Sequence, residues 1–118
     1  MRSDLSAINV QIEGAKIRNS PRFEKEGVNV NFVTALSPER FEVRTYERGI
    51  ESETLSCGTG ATAVAIAMHA SKQTKKQLID LQTKGGDLEV RFRAENSNYV
   101  DIWLSGSTNF VFEGILTK

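Results

Sequence analysis

The stretch YERGIESETLSCGTGATAVAIAM, residues 46–68, decides the fold and contains the residues of greatest chemical interest. From Ala61 to Met68 every residue except Thr62 is apolar, so the segment predicts a helix with no polar face. A helix that is apolar all round is usually buried on every side. Charged residues begin again at Lys72, which makes the run too short to span a bilayer. We therefore expect a central helix over residues 58–71, wrapped by other elements.

The loop before this helix predicts a binding place for an anion. Gly58 and Gly60 can adopt positive φ and leave backbone N–H groups uncovered. The first N–H groups of a helix lack internal partners and carry the positive end of its dipole, which suits a carboxylate or a phosphate. Cys57 lies at the mouth of this loop, where the same field favours the thiolate, the form that acts as base or nucleophile. A lone cysteine is also commonly a small buried hydrophobe, and the residues alone leave both interpretations open.

The strand before the loop ends in an acid and a base. Residues 41–46 alternate in polarity, which predicts a strand that delivers Glu47 and Arg48 to the loop. Arg48 can hold a carboxylate through two parallel hydrogen bonds, and Glu47 can accept from an ammonium group. An amino-acid ligand requires both. The alternative is an exposed ion pair, which would contribute little to stability.

The rest of the chain predicts an α+β fold. Residues 1–6 are polar and are expected to fray, and residues 8–15 fit either a strand or a helix. Asn29 and Asn31 share one face of a strand, where a solvated face is the simplest interpretation. His69 is expected at the surface or facing the end of the helix dipole, and not as a ligand. The predicted strands form a curled, mainly antiparallel sheet that encloses the central helix; they cover residues 28–33, 41–46, 77–83, 87–93, 99–105 and 109–116.

Composition narrows the classes of function. The 118 residues suit a single domain, 1–118, and fifteen basic residues balance fifteen acidic ones. This balance argues against a nucleic-acid or membrane partner. One cysteine and one histidine exclude an internal disulfide and make a protein metal site unexpected. Because no signal peptide or transmembrane run is visible, we expect a cytoplasmic protein.

Several motifs together resemble one family. The chain from residue 4 onward is similar to the second, C-terminal lobe of the diaminopimelate epimerases, through NVNFV (29–33), YERG (46–49), ETLSCGTGA (53–61), GGDLEV (85–90) and LSGSTNFVFEGIL (104–116). The resemblance implies a pyridoxal-phosphate-independent enzyme without a cofactor that interconverts LL- and meso-diaminopimelate in lysine and peptidoglycan synthesis. It also implies a short helix near residue 8.

The same resemblance implies roles for individual residues. Cys57 would be one of two acid/base thiols, and the substrate would be bound by Asn29, Glu47, Arg48, Gly58 and Thr59. Asn31 varies in the family pattern and receives no role. Many relatives have Gly where this chain has Ser52, so the loop there is expected to differ.

The resemblance also implies that the chain is incomplete as an enzyme. The family removes the proton with one cysteine and returns it with another on the opposite face, and this chain has one cysteine. The first lobe, with its Cys-Gly-Asn motif, is absent, and so is an Asn-Pro-His segment. We expect the isolated lobe to be inactive and to need that first lobe as its partner. A homodimer that opposes two copies of Cys57 is another possibility. Two further hypotheses are an isomerase lobe for another substrate and a non-enzymatic carboxylate-binding module.

Overall fold

The computed structural model describes residues 4–118, within which two helices and a six-stranded mixed sheet are formed. The elements are α1 (Val10–Arg18), β1 (Val30–Ser37), β2 (Arg40–Glu47), β3 (Ser52–Thr54), α2 (Gly58–Ala70), β4 (Leu78–Thr83), β5 (Gly86–Glu95) and β6 (Asn98–Gly106). The strand order is β1-β2-β4-β5-β6, and β3 pairs with β2. Only β2 and β4 pair in parallel among these strands. The α+β class is confirmed, and so are five of the six predicted strands.

The two faces of the sheet carry separate hydrophobic cores. Alternation along β1 and β2 sends Val33, Phe41 and Val43 towards α2, where they join buried residues of β4 and β5. The opposite face of β1 and β2 supplies Val30, Phe32 and Tyr46 to a smaller core with Leu5 and α1. Each helix is therefore attached to the sheet through its own cluster, and α2 is placed with its first turn against β1.

Helix α2 lies on one face of an open sheet, so two predictions are corrected. Gly60, Ala61, Val64 and Ala65 are buried, but the stripe formed by Thr59, Ala63, Ala67 and Ala70 is exposed. The sheet is neither closed nor strongly curled around the helix. The sequence predicted burial on every side because the exposed stripe is mostly alanine. Alanine counts as apolar in a sequence pattern, but its side chain is small, so its exposure to water costs little free energy.

The predicted last strand is absent. Residues 107–118 have no helix or strand, and no strand within residues 4–118 pairs with them. Their apolar side chains are 82–99% exposed; they are Phe110, Val111, Phe112, Ile115 and Leu116. A strand needs a neighbour that supplies its hydrogen bonds, and none of the described strands does so here.

The N-terminal region resolves the ambiguity of residues 8–15 in favour of a helix. The Asn9 side chain accepts a hydrogen bond from the Ile12 N–H at 3.1 Å and caps α1. Residues 1–6 were expected to fray, and this is wrong for Leu5, which is completely buried. Its carbonyl accepts a hydrogen bond from the Arg44 guanidinium at 2.6 Å; residues 1–3 of that prediction lie outside the described part of the chain.

Candidate functional site

The segment that leads into Cys57 is held by the turn between β4 and β5. The Gly85 N–H donates to the Leu55 carbonyl at 2.7 Å. A Cβ at Gly85 would lie 3.1 Å from the same carbonyl oxygen, so the close approach favours glycine. This contact joins two motifs that are separated in the sequence and fixes the start of α2 relative to the sheet.

Cys57 is the N-cap residue of α2 and is only half-buried. Its backbone is extended and its side chain makes no capping hydrogen bond. The thiol sulfur lies 3.9 Å from Asn29 Nδ2 and 3.4 Å from Thr59 Oγ1. A cysteine with polar neighbours and access to solvent is not a core residue, so its environment differs from that of a buried structural cysteine.

The first turn of α2 offers backbone donors beside this thiol. The first hydrogen bond of the helix runs from the Ala61 N–H to the Cys57 carbonyl at 2.9 Å. The N–H groups of Gly58, Thr59 and Gly60 precede it and therefore have no partner within the helix. Together with the helix dipole they make a place for a carboxylate.

Both glycines of this turn lie close to side chains of neighbouring strands, and the predicted positive φ is wrong for them. Positive φ among the described glycines occurs at Gly27, Gly49 and Gly86 instead. A Cβ at Gly58 would lie 2.7 Å from Leu104 Cδ2 of β6. A Cβ at Gly60 would lie 2.6 Å from Asn31 Oδ1 and 3.4 Å from the Cys57 sulfur. The turn is therefore tightly enclosed by the strands on either side of it.

Asn29, which lies next to the thiol, also contacts Arg48. Asn29 Oδ1 accepts a hydrogen bond from the Arg48 backbone N–H at 2.9 Å. The Arg48 guanidinium donates to the Glu26 carbonyl at 2.8 Å and passes over Gly27, where a Cβ would lie 2.6 Å from Arg48 Cδ. The remaining guanidinium donors are available to a ligand.

These residues border an open pocket between β1 and α2. Its volume is about 260 Å³, and it is lined by Val28, Asn29, Asn31, Arg48, Thr59, Gly60 and Ala63. Of the expected site residues, Asn29, Arg48 and Thr59 line this pocket, whereas Cys57, Gly58 and Glu47 do not. The Glu47 carboxylate accepts a hydrogen bond from Thr54 Oγ1 at 3.0 Å. The structure thus gathers Asn29, Arg48 and Thr59 around one pocket, and Cys57 contacts two of them, Asn29 and Thr59.

The sequence analysis did not predict a largely buried ion pair between Arg44 and Glu53. Arg44 forms two hydrogen bonds to the Glu53 carboxylate, at 2.7 and 2.9 Å, and Lys84 approaches the same carboxylate at 3.0 Å. The hydrogen bonds from Arg44 lower the pKa of Glu53, while burial opposes the shift. The same hydrogen bonds raise the pKa of Arg44. The pair fixes β3, which leads into the loop of Cys57. The sequence gives little indication of this ion pair, because β3 has only three residues and its sequence resembles that of a loop.

The remaining chemical features are sparse. Within residues 4–118 no three His, Cys, Asp or Glu side chains are grouped as a metal would require. His69, expected at the surface or facing the helix dipole, is half-buried in the last turn of α2. Its Nδ1 lies 3.0 Å from the Tyr99 hydroxyl, and its ring packs edge-on against Phe92. No helix among the described residues is long and apolar enough to cross a membrane.

The fold has a counterpart among solved structures. A crystal structure from Clostridium difficile, described as a phenazine biosynthesis PhzC/PhzF protein, superimposes with a TM-score of 0.56 at 21% identity. The match covers 76% of this chain and 31% of that one. At this identity the similarity concerns the fold alone, and the two proteins share an α+β fold.

Sequence comparison then gives the family. The family model "Diaminopimelate epimerase" matches residues 3–111, and the chain belongs to this family. The diaminopimelate epimerase of Flavobacterium psychrophilum is 54% identical over 110 residues, which are 93% of this chain and 43% of that enzyme. The enzyme of Aquifex aeolicus is 42% identical over 98% of this chain and 40% of its own length. The chain therefore spans about two-fifths of the length of these relatives, and the resemblance found in its motifs is confirmed.

Proposed function

We propose that this chain is the second, C-terminal catalytic lobe of a diaminopimelate epimerase, a cytoplasmic isomerase of lysine and peptidoglycan synthesis that needs no cofactor. The observation that supports this most strongly is the placement of Cys57. Its half-buried thiol lies between Asn29 and the first turn of α2, at the side of an open pocket. The reaction is proposed from family membership, and the residues of the pocket offer hydrogen-bond donors for the carboxylate groups of an amino acid.

The chemistry begins with the thiolate of Cys57 removing the α-proton. Negative charge then develops on the neighbouring carboxylate, where the N–H groups of Gly58 and Thr59 can stabilise it. Arg48 and Asn29 offer donors to the second carboxylate of diaminopimelate. Glu47 is the acceptor for an ammonium group, with one carboxylate oxygen bonded to Thr54 and the other free to accept.

Inversion requires a second acid on the opposite face of the α-carbon. One thiol cannot stand on both faces, so the proton must return from a group that another lobe supplies. The open side of the pocket, the exposed stripe of α2 and the exposed residues of 107–118 are surfaces that such a lobe would cover. The length of the relatives, more than twice that of this chain, provides room for it.

A chimera tests this proposal. The chain replaces the 110 residues that it matches in the Flavobacterium psychrophilum enzyme, and conversion of LL- to meso-diaminopimelate is followed. We expect activity close to that of the intact relative and its loss in Cys57→Ala. Ser56→Ala, the adjacent exposed residue, is the matched control and should retain activity.

The alternatives predict different results. A folded chimera that binds diaminopimelate without isomerising it would support the carboxylate-binding module. Isomerisation of another amino acid, with diaminopimelate left unchanged, would support a lobe of the same fold with another substrate. Either outcome would contradict the proposal.

A further inference from the structure

Asn31 lies on the strand face that borders the pocket, two residues after Asn29. Its side-chain oxygen accepts a hydrogen bond from the hydroxyl of Thr45 on β2 at 2.8 Å. Thr45 is 5% exposed, so its hydroxyl is a fixed donor inside the sheet. The same oxygen is 2.6 Å from the place that a Cβ of Gly60 would occupy. The amide is therefore held against the first turn of α2.

Within residues 4–118 this arrangement leaves the amide nitrogen of Asn31 without a hydrogen-bond acceptor. Among residues 4–118 the bond from Thr45 is the hydrogen bond that the Asn31 side chain makes. No described side-chain nitrogen or oxygen is both buried and unpartnered, so Nδ2 must reach solvent. Asn31 lines the pocket that contains Arg48 and Thr59, and it also lines the adjoining apolar cavity with Ala63.

We infer that Asn31 is a ligand-binding residue whose amide NH2, oriented by Thr45, donates to a carboxylate in this pocket. The inference rests on the proposed function and adds a residue to its binding site. Two N–H donors that face the same space as a guanidinium suit a carboxylate, and a fixed amide binds without first losing rotamer freedom. Thr45 acts as a positioning residue, since it bonds the oxygen and thereby turns the nitrogen outward.

The direct test observes the amide of Asn31 in the full chain by NMR. Diaminopimelate is titrated, and the side-chain NH2 signals that disappear in Asn31→Asp are followed. We expect saturable shifts of these signals. Asn31→Asp keeps an oxygen for Thr45 but replaces the donor with a negative charge, so binding should weaken roughly ten- to a hundredfold. Asn98→Asp, at the first residue of the distant edge strand β6, is the matched control.

The role of Thr45 gives a second test. Thr45→Val removes the hydroxyl, so the amide can rotate and binding should weaken, whereas Thr45→Ser keeps the hydroxyl and should restore affinity. In the active chimera the effect of Asn31→Asp should appear in KM with little change in kcat, because the contact binds the substrate rather than moving the proton.

The outcomes separate this inference from the proposed function. Shifts at the backbone of Gly58–Gly60 without shifts at the Asn31 amide, together with an unchanged affinity of Asn31→Asp, would overturn the inference. An active chimera whose KM is unaffected by Asn31→Asp would overturn it too and leave the proposed function standing. An inactive chimera would contradict the proposed function. The NMR titration tests whether the Asn31 amide binds the ligand, and it does not require an active enzyme.

Discussion

The side-chain amide of Asn29 lies 3.9 Å from the sulfur of Cys57. Its oxygen is already engaged by the backbone N–H of Arg48 at 2.9 Å, so the nitrogen is directed towards the thiol. Asn29, the residue before β1, thus connects the residue after β2 to the N-cap residue of α2. A change at this residue is expected to affect Cys57 and the carboxylate site together.

A bound substrate should protect Cys57 from alkylation. The thiol is half-buried beside the pocket, so a ligand held by Asn29 and the first turn of α2 would cover it. We expect diaminopimelate to slow the reaction with iodoacetamide in the native chain and to lose this effect in Asn29→Ala. Pimelate, which lacks the amino groups, is the control ligand and should protect less. Equal rates with and without diaminopimelate at saturation would contradict this placement.

The two glycines of the first turn should respond differently to alanine. At Gly58 the obstructing atom is the end of the flexible Leu104 side chain, which can move. At Gly60 the obstruction is the Asn31 amide, which Thr45 holds in place. We expect Gly60→Ala to weaken binding of diaminopimelate more than tenfold, on the scale of a lost charged hydrogen bond.

Calorimetric titration measures both affinities. Gly58→Ala should bind nearly as well as the native chain, and the double variant with Leu104→Ala should bind equally well. A larger loss for Gly58→Ala than for Gly60→Ala would show that Asn31 does not set the geometry of the turn.

The ion pair of Arg44 and Glu53 should make stability depend on pH. The pKa of Glu53 is below its ordinary value of 4.5, chiefly through the hydrogen bonds from Arg44. A carboxyl with a lowered folded pKa adds stability above the unfolded pKa, and that stability is lost as pH falls through the folded value. We expect Glu53→Gln to lower the free energy of unfolding by about 1–3 kcal/mol near pH 7 and by much less near pH 3.

Urea unfolding at both pH values measures this difference. Glu89→Gln, at an exposed position of β5, is the control and should change the free energy of unfolding by less than about 0.5 kcal/mol. An equal effect of Glu53→Gln at the two pH values would mean that the carboxylate charge does not contribute.

The exposed apolar residues of 107–118 should cause self-association of the isolated chain. Phe110 and Phe112 are both more than 80% exposed, and such surfaces associate in water. We expect sedimentation velocity to show dimers or larger species at high concentration, which the double variant Phe110→Ser and Phe112→Ser should reduce. Asn109→Ser is the control in the same segment. A monomeric native chain would contradict this expectation.

Local patterns predicted most of the secondary structure, since alternation over 28–33 or 87–93 depends on neighbours in sequence. What failed depends on distant neighbours. The sheet was expected to curl around α2 because an alanine-rich helix looks apolar all round, and residues 109–116 were predicted to be a strand but pair with none of the described strands. A binding role could not be predicted for Asn31, because the orientation of its amide depends on a hydrogen bond from Thr45, fourteen positions later. The roles of the other site residues remain predictions.

The most direct test of the account follows the isolated chain and the chimera with LL-diaminopimelate in deuterated water. If Cys57 is one of two opposed thiols, the isolated chain yields no meso isomer, because a proton returned by the same thiol restores the starting configuration. The chimera should yield meso-diaminopimelate with deuterium at the inverted α-carbon, and Cys57→Ala should abolish the inversion. Inversion by the isolated chain, lost in Cys57→Ala, would contradict the account and indicate a homodimer with two opposed copies of Cys57.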